Sequence, residues 1–217
     1  MLATAVFAQS EPPVLIRIAR MHTKLNQAPL YAGVYAGARP NINVVGMSSI
    51  TGMPENRMLE FCETFEGVEV MASAWKHFGA ERDSDPGADG VMPGSSAFVA
   101  QYRSQFGYRP GEAIKQFPSA KYVSVSAYRV RPGGESEFDE LAKQRRGGFE
   151  SINLDRPEMA YQVISGSPGT LWFFISPLPS LRALDQAVAR LHPWMVLERQ
   201  RADWLTASTC CSALIPT

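Results

Sequence analysis

Six side chains of this 217-residue chain are of types that hold or transform a small molecule: His22, Tyr128, Arg129, Tyr161, Trp172 and His192. Tyr128, Tyr161 and Trp172 offer apolar ring faces with polar tips, the usual lining of a small-molecule pocket. As a set they read as lining a cavity between sheet and helices. The plainer reading is that they fill the core. Arg129 ends the alternation Val123, Val125, Ala127, Arg129, so it shares a face with apolar residues. A fixed positive charge there either closes a ligand pocket or sits in solvent beyond the buried part of the strand. His22 occupies the corresponding place when the first strand of the chain is slid onto this one. His192 precedes Pro193 at a helix start. A haem iron would need an axial ligand, and His22 and His192 are the residues that could serve.

Other chemistry has no footing in the pattern. The third histidine, His77, forms no HExxH frame with the others, and no two histidines stand at i, i+4. No serine sits in GxSxG. "RPGG" and "YRPG" are turns without a phosphate-loop spacing, and the acidic run "ESEFDE" reads as a solvated helix face. Cys62, Cys210 and Cys211 are odd in number, and CC is not CxxC. They read as small buried hydrophobes, with a bridge from Cys62 to the pair open only if the ends of the two halves meet. The residues therefore single out no catalytic group, no metal site and no cofactor, and leave open whether the protein is an enzyme.

The elements that must position these residues emerge from an internal repeat. "ITGMP" (Ile50–Pro54) and "ISGSP" (Ile164–Pro168) match at an offset of 114. Leu181, Leu184, Val188 and Leu191 mark one face of a helix, with Ser180 as its N-cap. At an offset of 113 the same face carries Val68, Met71, Trp75 and Phe78. Each Gly-Pro turn is flanked by short apolar strands, "VVGMSSIT" and "RMLEFCE" in the first half, "EMAYQVIS" and "TLWFFIS" in the second. Each pair predicts a β-hairpin. Upstream strands are "PVLIRIARM" and "KYVSVSAYRVR"; downstream strands are "SSAFVAQYRSQ" and "STCCSALIP". A helix follows the upstream strand over 135–152 in the second half. In the first half that helix is expected to be short or distorted, because the stretch is about seven residues shorter and rich in Gly and Pro. An extra helix is expected over 192–207.

Each half thus reads β-α-β-β-α-β, the ferredoxin-like order. "LWFFI" does not alternate with polar residues: Leu171, Phe173 and Ile175 point one way, Trp172 and Phe174 the other. Both faces want burial, since each aromatic side chain taken out of water contributes roughly 1.5–3 kcal/mol. The expected fold class is α+β, two tandem ferredoxin-like modules packed sheet to sheet as a pseudo-dimeric α+β barrel. The expected domains are a signal remnant or disordered terminus over 1–12, a first module over 13–108, a linker over 109–119 and a second module over 120–217.

Charge narrows the partners. Lys and Arg number 21, as do Asp and Glu, so there is no basic face for nucleic acid and no electrostatic pull toward a membrane. No run approaches the length of a membrane span. The expected partner is a small apolar molecule, with a homo-oligomer as a further expectation. The opening "MLATAVFAQS" resembles the end of a secretory signal, with small residues before a polar step, which points to export to the periplasm or beyond. It lacks a basic leading region, so a frayed terminus in the cytoplasm stays the alternative.

The run "VRPGGESEFDELAK" followed by "YQVISGSPGTLWFFISPLPSLRALDQA" resembles the dimeric α+β barrel superfamily, and within it uncharacterised exported bacterial proteins with two fused modules, related to NIPSNAP and antibiotic-biosynthesis monooxygenase domains. The likeness covers the second half well. It covers the first half at the hairpin and at "SSAFVAQYRSQFGYRPG", and departs at the shortened helix. It implies a fold more firmly than a function, since one fold hosts many chemistries. Two enzyme readings follow from it, a cofactor-independent monooxygenase and a haem-handling protein. They stand beside a binding module for an apolar or aromatic molecule and a structural oligomerisation unit.

Overall fold

Apolar residues at every second position set the strands, and the computed structural model forms them close to their expected places. It describes residues 11–22, 44–51, 55–82, 96–185 and 205–214. The strands are β1 (Leu15–His22), β2 (Val44–Ser49), β3 (Glu55–Cys62), β4 (Ser96–Tyr102), β5 (Tyr122–Val130), β6 (Met159–Ser165), β7 (Thr170–Leu178) and β8 (Leu205–Leu214). The helices are α1 (Phe65–Arg82), α2 (Pro110–Gln116) and α3 (Glu135–Ser151), and a single 3-10 turn spans Phe117–Ser119. A further helix begins over 182–185, after Ser180. The expected short helix between β1 and β2 and the signal over 1–10 lie outside the described residues, as does the loop before β4 over 83–95; Glu81 and Arg82 belong to α1 and Ser96 to β4. Of the extra helix expected over 192–207, residues 192–204 lie outside them, while Leu205, Thr206 and Ala207 are strand β8, paired with Val130, Arg129 and Tyr128 of β5.

The strands close into a ring in the order β1-β3-β2-β8-β5-β7-β6-β4, with β4 returning to β1. Every neighbouring pair is antiparallel. The four strands of the first half run β4-β1-β3-β2 around the ring, and those of the second half run β8-β5-β7-β6. The halves do more than face one another. Ladders β2–β8 and β4–β6 join their edges, so no strand edge of the ring is left unpaired.

Side-chain parity divides the molecule into an inside and an outside. Ile16, Ile18, Leu59, Phe61, Phe98, Val125, Phe173 and Ile175 form one cluster within the ring. Trp172, Phe174 and Val130 point outward and pack with Phe138 and Ala142 of α3. The outer face of the first half carries Leu15, Cys62 and Met71, the last from α1.

The stretch expected as a linker is part of this core. Four strand reversals separate β1 from β5 around the ring, so the two run in the same direction and β4 ends where β5 starts. The connection between them crosses that end of the barrel. Ala113 and Ile114 of α2 and Phe117 of the 3-10 turn pack into the interior cluster, with the Phe117 ring 5.5 Å from that of Phe61, edge to face. The connection therefore plugs one mouth. The opposite mouth carries the two hairpin turns and the ends of β1 and β5.

Candidate functional site

The barrel wall separates the aromatic residues that the sequence grouped. Tyr161 lies inside, fully buried, and its hydroxyl donates to the Pro13 carbonyl at 3.1 Å. Burial pushes its pKa far above the usual tyrosine value. Trp172 lies outside, its ring 5.0 Å from Phe106 and 5.1 Å from Phe138. Tyr128 is on the same side, 5.4 Å from Phe174. Tyr161 and Trp172 thus face opposite ways, so the three do not share one cavity. On the outer side the rings fill the space between sheet and α3.

Arg129 stands near the end of β5, at the mouth opposite the plug. Its guanidinium donates to Ser167 Oγ at 3.3 Å and to the Pro168 carbonyl, which holds the neighbouring hairpin turn. His22 ends β1 at the same mouth, opposite Glu55; its side chain and all of His192 lie outside the described residues. Arg129 faces Leu171, Leu171 matches Arg57 at the hairpin offset of 114 (171 − 57), and Arg57 faces Arg20.

The sheet brings together two residues the sequence reading passed over. Arg17 of β1 and Glu60 of β3 are direct ladder partners on the outer face of the first half. One guanidinium nitrogen lies 2.7 Å from each Glu60 oxygen. Glu60 is fully buried and the Arg17 side chain is 13% exposed. Cys62, beside them, donates its thiol to the Glu60 carbonyl at 3.8 Å. Burial, and then the Glu60 charge, push that thiol up to about 11. Cys62 is free, so no bridge ties it to the C-terminal pair. The sequence held a signal for the ion pair: one charge of each sign at the outward parity, between Leu15 and Ala19 in β1 and between Met58 and Cys62 in β3.

The second half places different chemistry at the same register. The hairpin offset of 114 carries Glu60 onto Phe174 and Met58 onto Trp172; Phe174 faces Ser126 across the β5–β7 ladder, as Glu60 faces Arg17. One half fills its outer face with rings, the other with a carboxylate and a guanidinium. A carboxylate so placed can accept a hydrogen bond or a proton from an acidic group, and the guanidinium can stabilise the charge that results.

A second buried carboxylate, Glu158, has a different role. Arg145 of α3 holds both its oxygens at 2.6 and 2.8 Å, and its backbone bonds Tyr108 in both directions. The Arg145 guanidinium also lies over the Phe149 and Phe174 rings at 4.8 and 4.7 Å. This cluster fastens α3 to the start of β6. A surface groove of about 330 Å³ lies near the plug, between α2 and the helix that begins after Ser180, lined by Gln116, Ser119, Asp155 and Arg182; none of the six sequence candidates borders it. Among the described residues no His, Cys, Asp and Glu group is placed to hold a metal ion. Nor is any described helix long and apolar enough to cross a membrane.

This ring is shared with known structures. A candidate monooxygenase from Fusobacterium nucleatum superposes with a TM-score of 0.63 at 9% identity, over 94% of each chain. An anthrone oxidase-like protein gives 0.59 at 11%, over 96% of this chain and 94% of the other. A chlorite dismutase variant from Candidatus Nitrospira defluvii gives 0.59 at 9%, over 100% and 96%. The protein has the α+β barrel fold of these neighbours. No family model and no curated protein matches its sequence.

Proposed function

We propose that the protein binds a small apolar or aromatic molecule with an acidic hydroxyl or carbonyl group, held between sheet and helices of the first half against Arg17 and Glu60. The observation that carries this reading is the asymmetry of the two outer faces. A buried ion pair is poorly explained by stability alone, because apolar residues of similar size are commonly as stabilising or more so. The second half has that apolar solution in Phe174, Trp172 and Tyr128; the first half keeps the charges. The matched strand order of the two halves supports the wider reading of a duplicated β-α-β-β-α-β unit.

A second reading is an oxygenase-type enzyme without a tightly held cofactor. The neighbouring monooxygenase and anthrone oxidase-like structures favour it. Glu60 would then take a proton from the substrate and Arg17 would pair with the enolate. Haem handling fits less well. The rings around Trp172 leave no slot for a macrocycle between the second sheet and α3.

A panel of quinols, phenols and aromatic acids titrated against tryptophan fluorescence tests the proposal. Saturable binding to the intact protein, lost in Glu60→Gln and kept in Tyr128→Phe, is the expected result. Binding that survives Glu60→Gln unchanged would move the site elsewhere. Oxygen consumption with a bound quinol would decide for the enzyme.

A further inference from the structure

The groove beside the plug, about 330 Å³ in volume, falls at the lower end of the roughly 300–1,000 Å³ that small-molecule sites occupy. Two charges of opposite sign line it, Asp155 and Arg182, together with Gln116, Ser119 and Ser180. Among the described residues neither charged side chain has an ion pair or a hydrogen bond. The backbone holds both walls. Asn153 and Arg109 take left-handed conformations, with φ of 48° and 45°, and the Arg109 guanidinium donates to the Asn153 side-chain oxygen. Such strain persists only where the surroundings fix it, and here it presents Asp155 two residues on. On the other side the Lys121 N–H donates to the Leu178 carbonyl at 3.0 Å. The Ala183 N–H then donates to the Ser180 carbonyl at 3.3 Å, which starts the helix that carries Arg182. Next to Asp155 in the chain, Leu154 packs with Tyr108 and Phe149. The Asp155 charge reaches the Tyr108 hydroxyl, which is buried with no hydrogen-bond partner among the described residues.

We infer that this groove binds a small zwitterion, a free α-amino acid, with its ammonium on Asp155 and its carboxylate on Arg182. A guanidinium presents two parallel N–H groups to a carboxylate, and a carboxylate accepts from an ammonium. Ser119 suits the same polarity. Its hydroxyl proton already goes to the Gln116 carbonyl at 3.1 Å, so its oxygen is left to accept from the ammonium. The Gln116 amide and the Ser180 hydroxyl are further donors for the carboxylate. A ligand of one sign would leave one of the two groove charges unmatched; a zwitterion matches both. Asp155 and Arg182 are exposed, so each contact is weak and the affinity is about millimolar. The groove is built from α2, the 3-10 turn, the turn before β6 and the helix start after Ser180. Arg17 and Glu60 lie on β1 and β3, so the two sites share no element.

Amide chemical shifts of the full chain, titrated at neutral pH and matched ionic strength, test this. The probes are free glycine, free serine, ethanolamine and lactate. Recognition is of the two backbone charges, so both amino acids should bind. The expected result is saturable shifts at Ser119, Asp155 and Arg182 with either one. Ethanolamine lacks the carboxylate and lactate lacks the ammonium, so each should bind at least about fivefold more weakly. Asp155→Asn and Arg182→Gln should each weaken the binding of free glycine by a similar factor. Both side chains are exposed, so these variants keep the fold. Arg146→Ala, at a surface arginine of α3, should change nothing. The absence of a saturable shift with both amino acids overturns the inference. So does lactate or ethanolamine binding as tightly as serine, and so does an affinity left unchanged by either groove variant.

Discussion

Arg17 and Glu60 are 43 positions apart in the chain, yet they face each other across the β1–β3 ladder with one guanidinium nitrogen 2.7 Å from both carboxylate oxygens. The pair is buried, so its two members depend on each other. Arg17→Ala or Glu60→Ala breaks this pair and should lower unfolding stability by about 3–5 kcal/mol. Arg17→Met with Glu60→Leu removes both charges and should cost far less than either single change. Urea denaturation of the four proteins checks the non-additivity. If the outer face of the first half is the ligand site, the double variant folds and does not bind.

Two turn glycines of one hairpin separate steric space from backbone strain. Gly166 and Gly169 have φ of +92° and +77°. A Cβ on Gly166 would lie 2.3 Å from the Ala97 carbonyl oxygen, where β4 and β6 join the two halves; a Cβ on Gly169 meets nothing within 4 Å. Gly169→Ala should cost roughly 1–2 kcal/mol, the strain of a left-handed alanine. Gly166→Ala should cost clearly more and should loosen amide-exchange protection along β4. Equal thermal midpoints for the two variants would contradict the close approach.

Stability should fall in base. The Cys62 thiol titrates at 9.0 when unfolded and is pushed up to about 11 in the fold. Burial also raises Tyr161, Tyr108 and Tyr102 above 10.0, Tyr102 with help from Glu11. Above these unfolded values the open chain releases protons that the folded chain retains. Stability therefore decreases as pH rises, first through the thiol and then through the phenols, and these groups contribute no slope at neutral pH. Thermal midpoints measured from neutral pH upward should bend down past about pH 9. Cys62→Ser should remove the first part of the decline and Tyr161→Phe should flatten the later part. A midpoint that stays level through pH 10 would contradict the burial of these groups.

The plug should behave as core. Ile114 is fully buried and Phe117 nearly so. Phe117→Ala should cost about 3–5 kcal/mol and Ile114→Ala about 2–5 kcal/mol, far more than changes in an exposed connection, which usually stay within about 0.5 kcal/mol. Chemical denaturation distinguishes the two cases.

Much of this was legible in the sequence. Alternation in "TLWFFIS" assigns Phe173 and Trp172 to opposite faces, and the Gly-Pro turns locate both hairpins. The stretch around Ile114 reads as a connection, because Gly107, Pro110, Gly111 and Pro118 punctuate it. That composition breaks local periodicity but does not prevent three apolar side chains from entering a barrel end.

The sequence by itself determined the strands, the turns and which residues share a side of each strand, because these follow from local sterics and a period of two. The tertiary structure alone decided which strands are neighbours. It set Arg17 against Glu60 and Arg20 against Arg57, sent Tyr161 and Trp172 to different sides of one wall, and brought the connection across the mouth. The physical reason is that ladder register between distant strands is fixed by closing the ring, and no local pattern records it.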